Sequence, residues 1–224
     1  MSPARGGLVV ECTDLAVGRA GTVLVSGIGL TLRPGELVAL LGPSGTGKTT
    51  MLDTIEGRLA PLGGRVEHRD PDGSAIPVQA CARRVARVEQ DLLLVDALTL
   101  EHNVLLGRLG RYPWWRTFFR FPPAEREAAR TLLAELGLGH LWWKQAAQVS
   151  GGERQRTALA RALFAEPDVL LADEPTASLD ADTAERALRT VRTHMRDGAV
   201  LVVLHDRDLA RRHADRVIDL GEPG

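Results

Sequence analysis

The stretch that decides the fold is Leu37-Val-Ala-Leu-Leu-Gly-Pro-Ser-Gly-Thr-Gly-Lys-Thr-Thr50. An apolar run of strand length, Leu37 to Leu41, leads straight into Gly42 to Thr49, which fits the pattern G-x-x-x-x-G-K-[ST]. Beyond it Met51, Leu52, Ile55 and Leu59 recur at helical spacing. Strand, glycine-rich loop and helix in that order are the context a phosphate-binding loop requires. The glycines let backbone N–H groups curl around phosphate oxygens, and the helix N-terminus adds the positive end of its dipole. On this reading Gly42, Pro43, Ser44, Gly45, Thr46, Gly47 and Thr50 cradle the phosphates of a nucleotide, Lys48 reaches its β and γ phosphates, and the Thr49 hydroxyl ligates Mg²⁺. The motif alone specifies a nucleotide and nothing further.

Upstream, LVVECTDLAV and TVLVSGIGLTL read as strands, and downstream residues 85 to 89 (VARVE) give another. From Asp91 to about Gln148 the pattern changes to longer helical stretches such as AEREAARTLLAELG, without a convincing strand. That segment holds all four Trp, the only Tyr and every Phe except Phe164. The α/β pattern then resumes with a helix from Gly152 to Ala165, a strand at 169 to 172 and a helix from about Asp182 to Met195. A strand at 199 to 204, a short helix and a last strand at 216 to 220 complete it. The expectation is a single α/β domain: a core of residues 1–90 and 149–224, with a mixed sheet, flanking helices and N-terminal antiparallel strands, carrying a helical subdomain inserted at 91–148.

Two further stretches carry chemistry. The run Val169 to Ala172 ends in Asp173-Glu174, at the C-terminal tip of a strand, where ligands of open α/β sheets bind. Asp173 can hold the magnesium ion, and Glu174 is placed to accept a proton from the water that attacks the γ-phosphate. Without the phosphate loop the same pair would read as a solvated turn. In Val149-Ser-Gly-Gly-Glu-Arg-Gln-Arg156, Ser150 and Glu153 form a capping box at the start of a helix carrying Leu159 and Leu163. Capping does not explain Gly151 and Gly152, which let another group approach the backbone at a helix N-terminus.

Ser150 to Gln155 resembles the signature motif of ABC ATPases, in the variant with Glu for the final Gln. Gln90 resembles the Q-loop glutamine, Ser178-Leu-Asp180 the D-loop, and His205 the switch histidine. The fold implied is the P-loop NTPase core of ABC type. The resemblance implies that Ser150, Gly151, Gly152 and Glu153 of one subunit meet the γ-phosphate held by the other, so that hydrolysis needs a dimer. It also implies that Gln90 couples the magnesium site to the helical subdomain, and that His205 contacts the γ-phosphate and the attacking water. A lone His beside a strand is otherwise a structural residue, and Asp180 doubles as a helix N-cap.

The family usually stacks adenine on an aromatic residue upstream of the P-loop, where this chain has Arg19 in AVGRAGT; a guanidinium plane can stack on a base in its place. The family pattern also continues past the last strand into a short hairpin, whereas this chain stops at Gly224. Residues 91–103, and Asn103 to Arg116 followed by Phe118, Phe119 and Phe121, resemble the corresponding stretch of phosphonate-import ATPases. The implied partners are transmembrane permease subunits docking on the helical subdomain and a second ABC cassette. The aromatic cluster reads either as anchors for a permease helix or as the subdomain's own core, although the adjacent Trp114 and Trp115 cannot both face one small core. The alternatives are an exporter or membrane-remodelling cassette, and an accessory cassette of a soluble phosphonate-degrading assembly.

Composition fits this picture. The 28 basic and 29 acidic residues leave a net charge of -1, so no basic footprint argues for nucleic acid. Cys12 and Cys81 fit no metal spacing and suit a reducing compartment. The start, MSPARGGLVV, lacks a long apolar stretch, and the longest apolar runs are strand-sized, so contact with the membrane is expected only through a partner at its cytoplasmic face.

Overall fold

The computed structural model describes residues 7–111 and 121–221. By its internal contacts the chain forms two compact units, one of residues 1–87, 167–174 and 195–224, the other of residues 88–166 and 175–194.

The first unit holds two sheets. Strands β1 (Val9–Arg19), β2 (Thr22–Leu32), β4 (Gly63–Arg69) and β5 (Ala75–Ile76) form an antiparallel sheet in the order β2-β1-β4-β5. Strands β3 (Leu37–Leu41), β6 (Val85–Val88), β7 (Val169–Asp173), β8 (Ala199–Val203) and β9 (Arg216–Asp219) form the second sheet in the order β6-β7-β8-β3-β9. The pairings β7 with β8, β8 with β3, and β3 with β9 are all parallel. Every residue of β3, β7 and β8 is buried, which is why these strands read as unbroken apolar runs instead of alternating ones. One apolar cluster joins the two sheets to helix α1 (Lys48–Glu56), with Val10 and Leu15 from β1, Leu40 from β3, Met51 and Ile55 from α1, and Leu171 and Leu201 from the parallel sheet. Such burial, at about 25 cal/mol per Å² of apolar area, is the main favourable contribution to folding.

Sequence patterning does not reveal β4. Its residues, GGRVEHR, include a single large aliphatic side chain, Val66, yet they pair along β1 from Val9↔Arg69 to Thr13↔Arg65. Tertiary pairing with a central strand overrides a weak local β preference here.

In the second unit, α2 (Leu100–Leu105) packs against α3 (Pro123–Glu135) and α4 (Gly151–Phe164), and α5 (Ala181–His194) also contacts α4. Helix α6 (Arg207–His213) belongs to the first unit. Leu100, Val104, Leu132, Leu133 and Leu159 fill the interior of the second unit. The buried Glu101, 1% exposed, is matched by Arg126 at 3.1 Å and Arg130 at 2.8 Å, which offsets the cost of removing its charge from water. Arg130 in turn lies 3.7 Å over the ring of Trp142, whereas Trp143 is 57% exposed. Tyr112, Trp114, Trp115, Arg116, Phe118 and Phe119 lie outside the described residues. Between Asp91 and Gln148 the described residues hold an isolated bridge, Thr99 to Gln145, and no strand.

Cys12 and Cys81 are free and buried. Burial pushes the Cys12 thiol up to about 12 and raises that of Cys81. At pH 8 a thiol with that pKa is ionised in about one molecule in ten thousand. A thiol reagent at pH 8 should therefore leave both cysteines unlabelled in the folded chain and titrate both once denaturant is added. Rapid labelling of the native protein would contradict this.

Candidate functional site

The phosphate loop hangs between β3 and α1. Gly47 is the N-cap of α1 in the left-handed region, at φ 94°, where a Cβ would also come within 3.1 Å of the Leu24 side chain. No side chain caps the helix and its first turn carries no acidic residue, so its amides face a position suited to an anion. Lys48 is buried and its Nζ donates to the carbonyl oxygens of Gly42 and Pro43, both at 2.8 Å, which draws the loop into a ring around the ammonium group. The Thr46 hydroxyl donates to Pro43 O at 2.9 Å. Pro43, Ser44 and Gly45 are exposed, and a side chain at Gly45 would meet nothing. Thr49, in the first helical turn, is an exposed residue, and Thr50 is buried.

The acidic pair arrives at the end of β7, separated from β3 by β8 in the same sheet. Asp173 ends β7 with 4% of its side chain exposed and is hydrogen-bonded to Thr49. Burial raises its pKa above the usual carboxylate range, while the Thr49 hydroxyl and the Arg87 guanidinium pull it back down. A hydroxyl and a buried carboxylate held together are hard oxygen donors, a set that fits a magnesium ion carried in with ATP. Glu174 follows with φ 51°, a left-handed conformation that is uncommon for a residue with a side chain and costs roughly 1–2 kcal/mol. Strain of this kind at a strand tip beside a phosphate loop points to function. The Glu174 Oε1 lies 2.6 Å from His205 Nε2, just past β8, so the carboxylate and the imidazole are brought together.

Arg19, at the end of β1, is 65% exposed and pairs with Asp53 Oδ2 at 3.2 Å. Asp53 and Arg87 are residues that sequence reading passes over. Arg87 is a charge within the strand segment VARVE, and Asp53 sits on the first turns of α1; nothing in their spacing reveals that the two meet, since they lie 34 positions apart.

The other site residues belong to the second unit. Ser150 caps α4 in a complete capping box: its Oγ accepts from Glu153 N at 3.4 Å, and Ser150 N donates to Glu153 Oε2 at 2.6 Å. These bonds hold the Glu153 carboxyl below its ordinary range. A Cβ at Gly152 would come within 3.0 Å of Ser178 O, so that glycine is needed for the approach of the Ser178–Asp180 turn, which Gln155 fastens by accepting from Ser178 N at 3.1 Å. Gly151 is exposed with open space around it. Asp180 accepts from Thr183 N at 3.0 Å, and the Thr183 hydrogen bonds lower its pKa. Gln90 is exposed in the turn after β6, ahead of Leu92 and Leu93, both left-handed at φ 57° and 46°. Arg161 holds that turn by donating to the carbonyl oxygens of Leu92 at 2.7 Å and Leu93 at 2.5 Å.

A phosphate loop with an acidic pair and a histidine at the adjoining strand tips defines a P-loop nucleoside triphosphatase. Residues 25–177 match the family model described as ABC transporter. The phosphonates import ATP-binding protein PhnC of Wolinella succinogenes is 39% identical over 204 residues, covering 88% of this chain and 74% of the relative. Its counterpart from Chromohalobacter salexigens is 40% identical over 206 residues, covering 89% and 76%. Among solved structures, the dimer of a bacterial ABC transporter cassette superposes with a TM-score of 0.78 at 29% identity, covering 95% of this chain and 94% of that one. A dimeric post-hydrolysis cassette bound to ADP and Pi gives the same TM-score and coverage at 30% identity. The chain belongs to the ABC transporter family. It is the ATP-binding subunit of such a transporter and an ATP hydrolase.

Proposed function

We propose that this chain powers the import of a phosphonate or related oxyanion, as one of two cassettes clamped on transmembrane permease subunits at the cytoplasmic face of the membrane. The observation that carries the reading is the likeness, at 36–40% identity over about nine-tenths of the chain, to a set of relatives each described as a phosphonates import ATP-binding protein. Among the described residues no helix is long and apolar enough to cross a membrane, which accords with a spanning partner.

In the proposed cycle, Lys48 and the loop amides hold the triphosphate, while Thr49 and Asp173 hold the magnesium ion. Held by these two residues, such an ion would supply positive charge against that developing on the phosphate oxygens. Glu174 takes the proton of the attacking water, and His205, 2.6 Å away, keeps the carboxylate aimed and contacts the γ-phosphate. Ser150, Gly151 and Gly152 of the second cassette close over the same phosphate from a helix N-terminus. ATP favours the closed dimer because the γ-phosphate bridges both chains; its removal lets them part and move the permease.

Three experiments test this. Glu174→Gln should abolish turnover and accumulate an ATP-bound dimer on gel filtration; a variant that stays monomeric at saturating ATP overturns the clamp. At Ser150, Asp caps a helix as well as Ser does, whereas Ala loses about 1 kcal/mol. Ser150→Asp should therefore keep the melting temperature but lose ATPase activity through repulsion of the phosphate, and full activity in Ser150→Asp would reduce Ser150 to a cap. Finally, the tagged protein purified from native membranes in mild detergent should bring a multi-span partner and a phosphonate-binding protein. Recovery with soluble enzymes alone would move the accessory-cassette reading ahead, and an export partner would reverse the direction.

A further inference from the structure

Beside the phosphate loop lies a charge that the chemistry above does not use. Arg87, on β6, keeps only 4% of its side chain exposed. Its Nη2 lies 3.2 Å from Asp173 Oδ2 and 3.4 Å from Asp53 Oδ1, and its Nε and Nη1 are buried without a hydrogen-bond partner. Asp53 Oδ2 in turn takes Arg19 at 3.2 Å. The four side chains form an alternating series, Arg19, Asp53, Arg87 and Asp173, that runs from the exposed end of β1 to the carboxylate next to Thr49.

A guanidinium with two unpartnered nitrogens is a costly thing to bury, and packing alone would be better served by an apolar side chain of similar size. What Arg87 supplies is a fixed positive charge against Asp173, itself 4% exposed. We propose that Arg87 is a built-in counter-ion at the magnesium carboxylate, a positioning residue that aims Asp173 at Thr49 and sets how strongly ATP binding depends on the divalent cation. The proposal rests on the assignment of Asp173 to that cation.

The direction follows from Coulomb's law in a partly desolvated site. The guanidinium attracts the triphosphate in the absence of magnesium, and it repels a dication held by the carboxylate it already pairs with. Both effects narrow the gap between ATP affinity with and without magnesium. Removing the charge widens that gap. Removing the Asp53 charge leaves Arg87 less compensated and narrows the gap further.

The test is the ratio of ATP dissociation constants in EDTA and in magnesium, measured by fluorescent-nucleotide titration of the purified full-length chain at pH 8. Circular dichroism and melting temperature establish folding. Arg87→Met should raise the ratio by about tenfold or more, while Arg87→Lys, which keeps the charge, stays near the wild-type ratio. Asp53→Asn should lower it, and this variant decides the matter if Arg87→Met does not fold. A merely structural role would change both affinities together and leave the ratio untouched. An unchanged ratio in folded Arg87→Met, or in Asp53→Asn if Arg87→Met is unfolded, overturns the proposal. Asp173→Asn separates the two assignments. If it leaves the magnesium dependence intact, the cation reading of Asp173 fails and takes Arg87 with it; if it abolishes that dependence while Arg87→Met changes nothing, the Arg87 proposal alone falls.

Discussion

The parallel ladder of β7, β8 and β3 is the constraint on which the phosphate site depends. Its register pairs Asp173 with Val203, and Val203 with Leu40. The three strands therefore end at nearly one level, and the residues that follow them, Glu174, Leu204-His205 and Gly42, emerge side by side. A slip of one residue in any strand would turn its side chains to the opposite face and break this alignment. Burial on both faces makes such a slip expensive, because side chains of different volume would have to exchange places in two close-packed layers, and Asp173 would leave its face of β7. Rigidity here comes from packing, and the geometry of the candidate site inherits it.

Within that rigid frame the site holds its charges in close contact with partners. Lys48 is drawn back on two carbonyl oxygens, Glu174 sits in a left-handed conformation against His205, and Asp173 is buried between a hydroxyl and a guanidinium. The left-handed backbone at Glu174 and the burial of Asp173 cost free energy that the surrounding core and the paired groups offset. On the proposed assignment a triphosphate and its cation would supply the charges these groups are set to meet, and their binding would assemble the reactive geometry. The second unit treats its motif differently. Ser150 and Glu153 satisfy each other in a capping box, and Gln155 ties the Ser178–Asp180 turn to the same helix, which leaves Gly151 open at the helix start.

Some of this was legible from the chain alone, in ways that trace to particular residues. The phosphate loop, Asp173-Glu174 and the Ser150 capping box are local: their chemistry is written in consecutive residues, and strand or helix context can be read a few positions to either side. Strands β3, β7 and β8 announce themselves because a strand buried on both faces has no polar alternation to confuse the reading. β4 does not, because GGRVEHR owes its conformation to the backbone of β1 and not to its own side chains.

Arg87 marks the boundary most clearly. The sequence by itself determined the phosphate loop, the acidic pair, the signature helix and the succession of strands and helices, since each depends on interactions within a short span. Only the tertiary structure decided that Arg87, Asp53 and Arg19 converge on Asp173, and that Glu174 meets His205 at 2.6 Å. Those contacts join residues that the packing of distant strands and of helix α1 brings together, and electrostatic energy depends on distance and burial, neither of which is written in the order of residues.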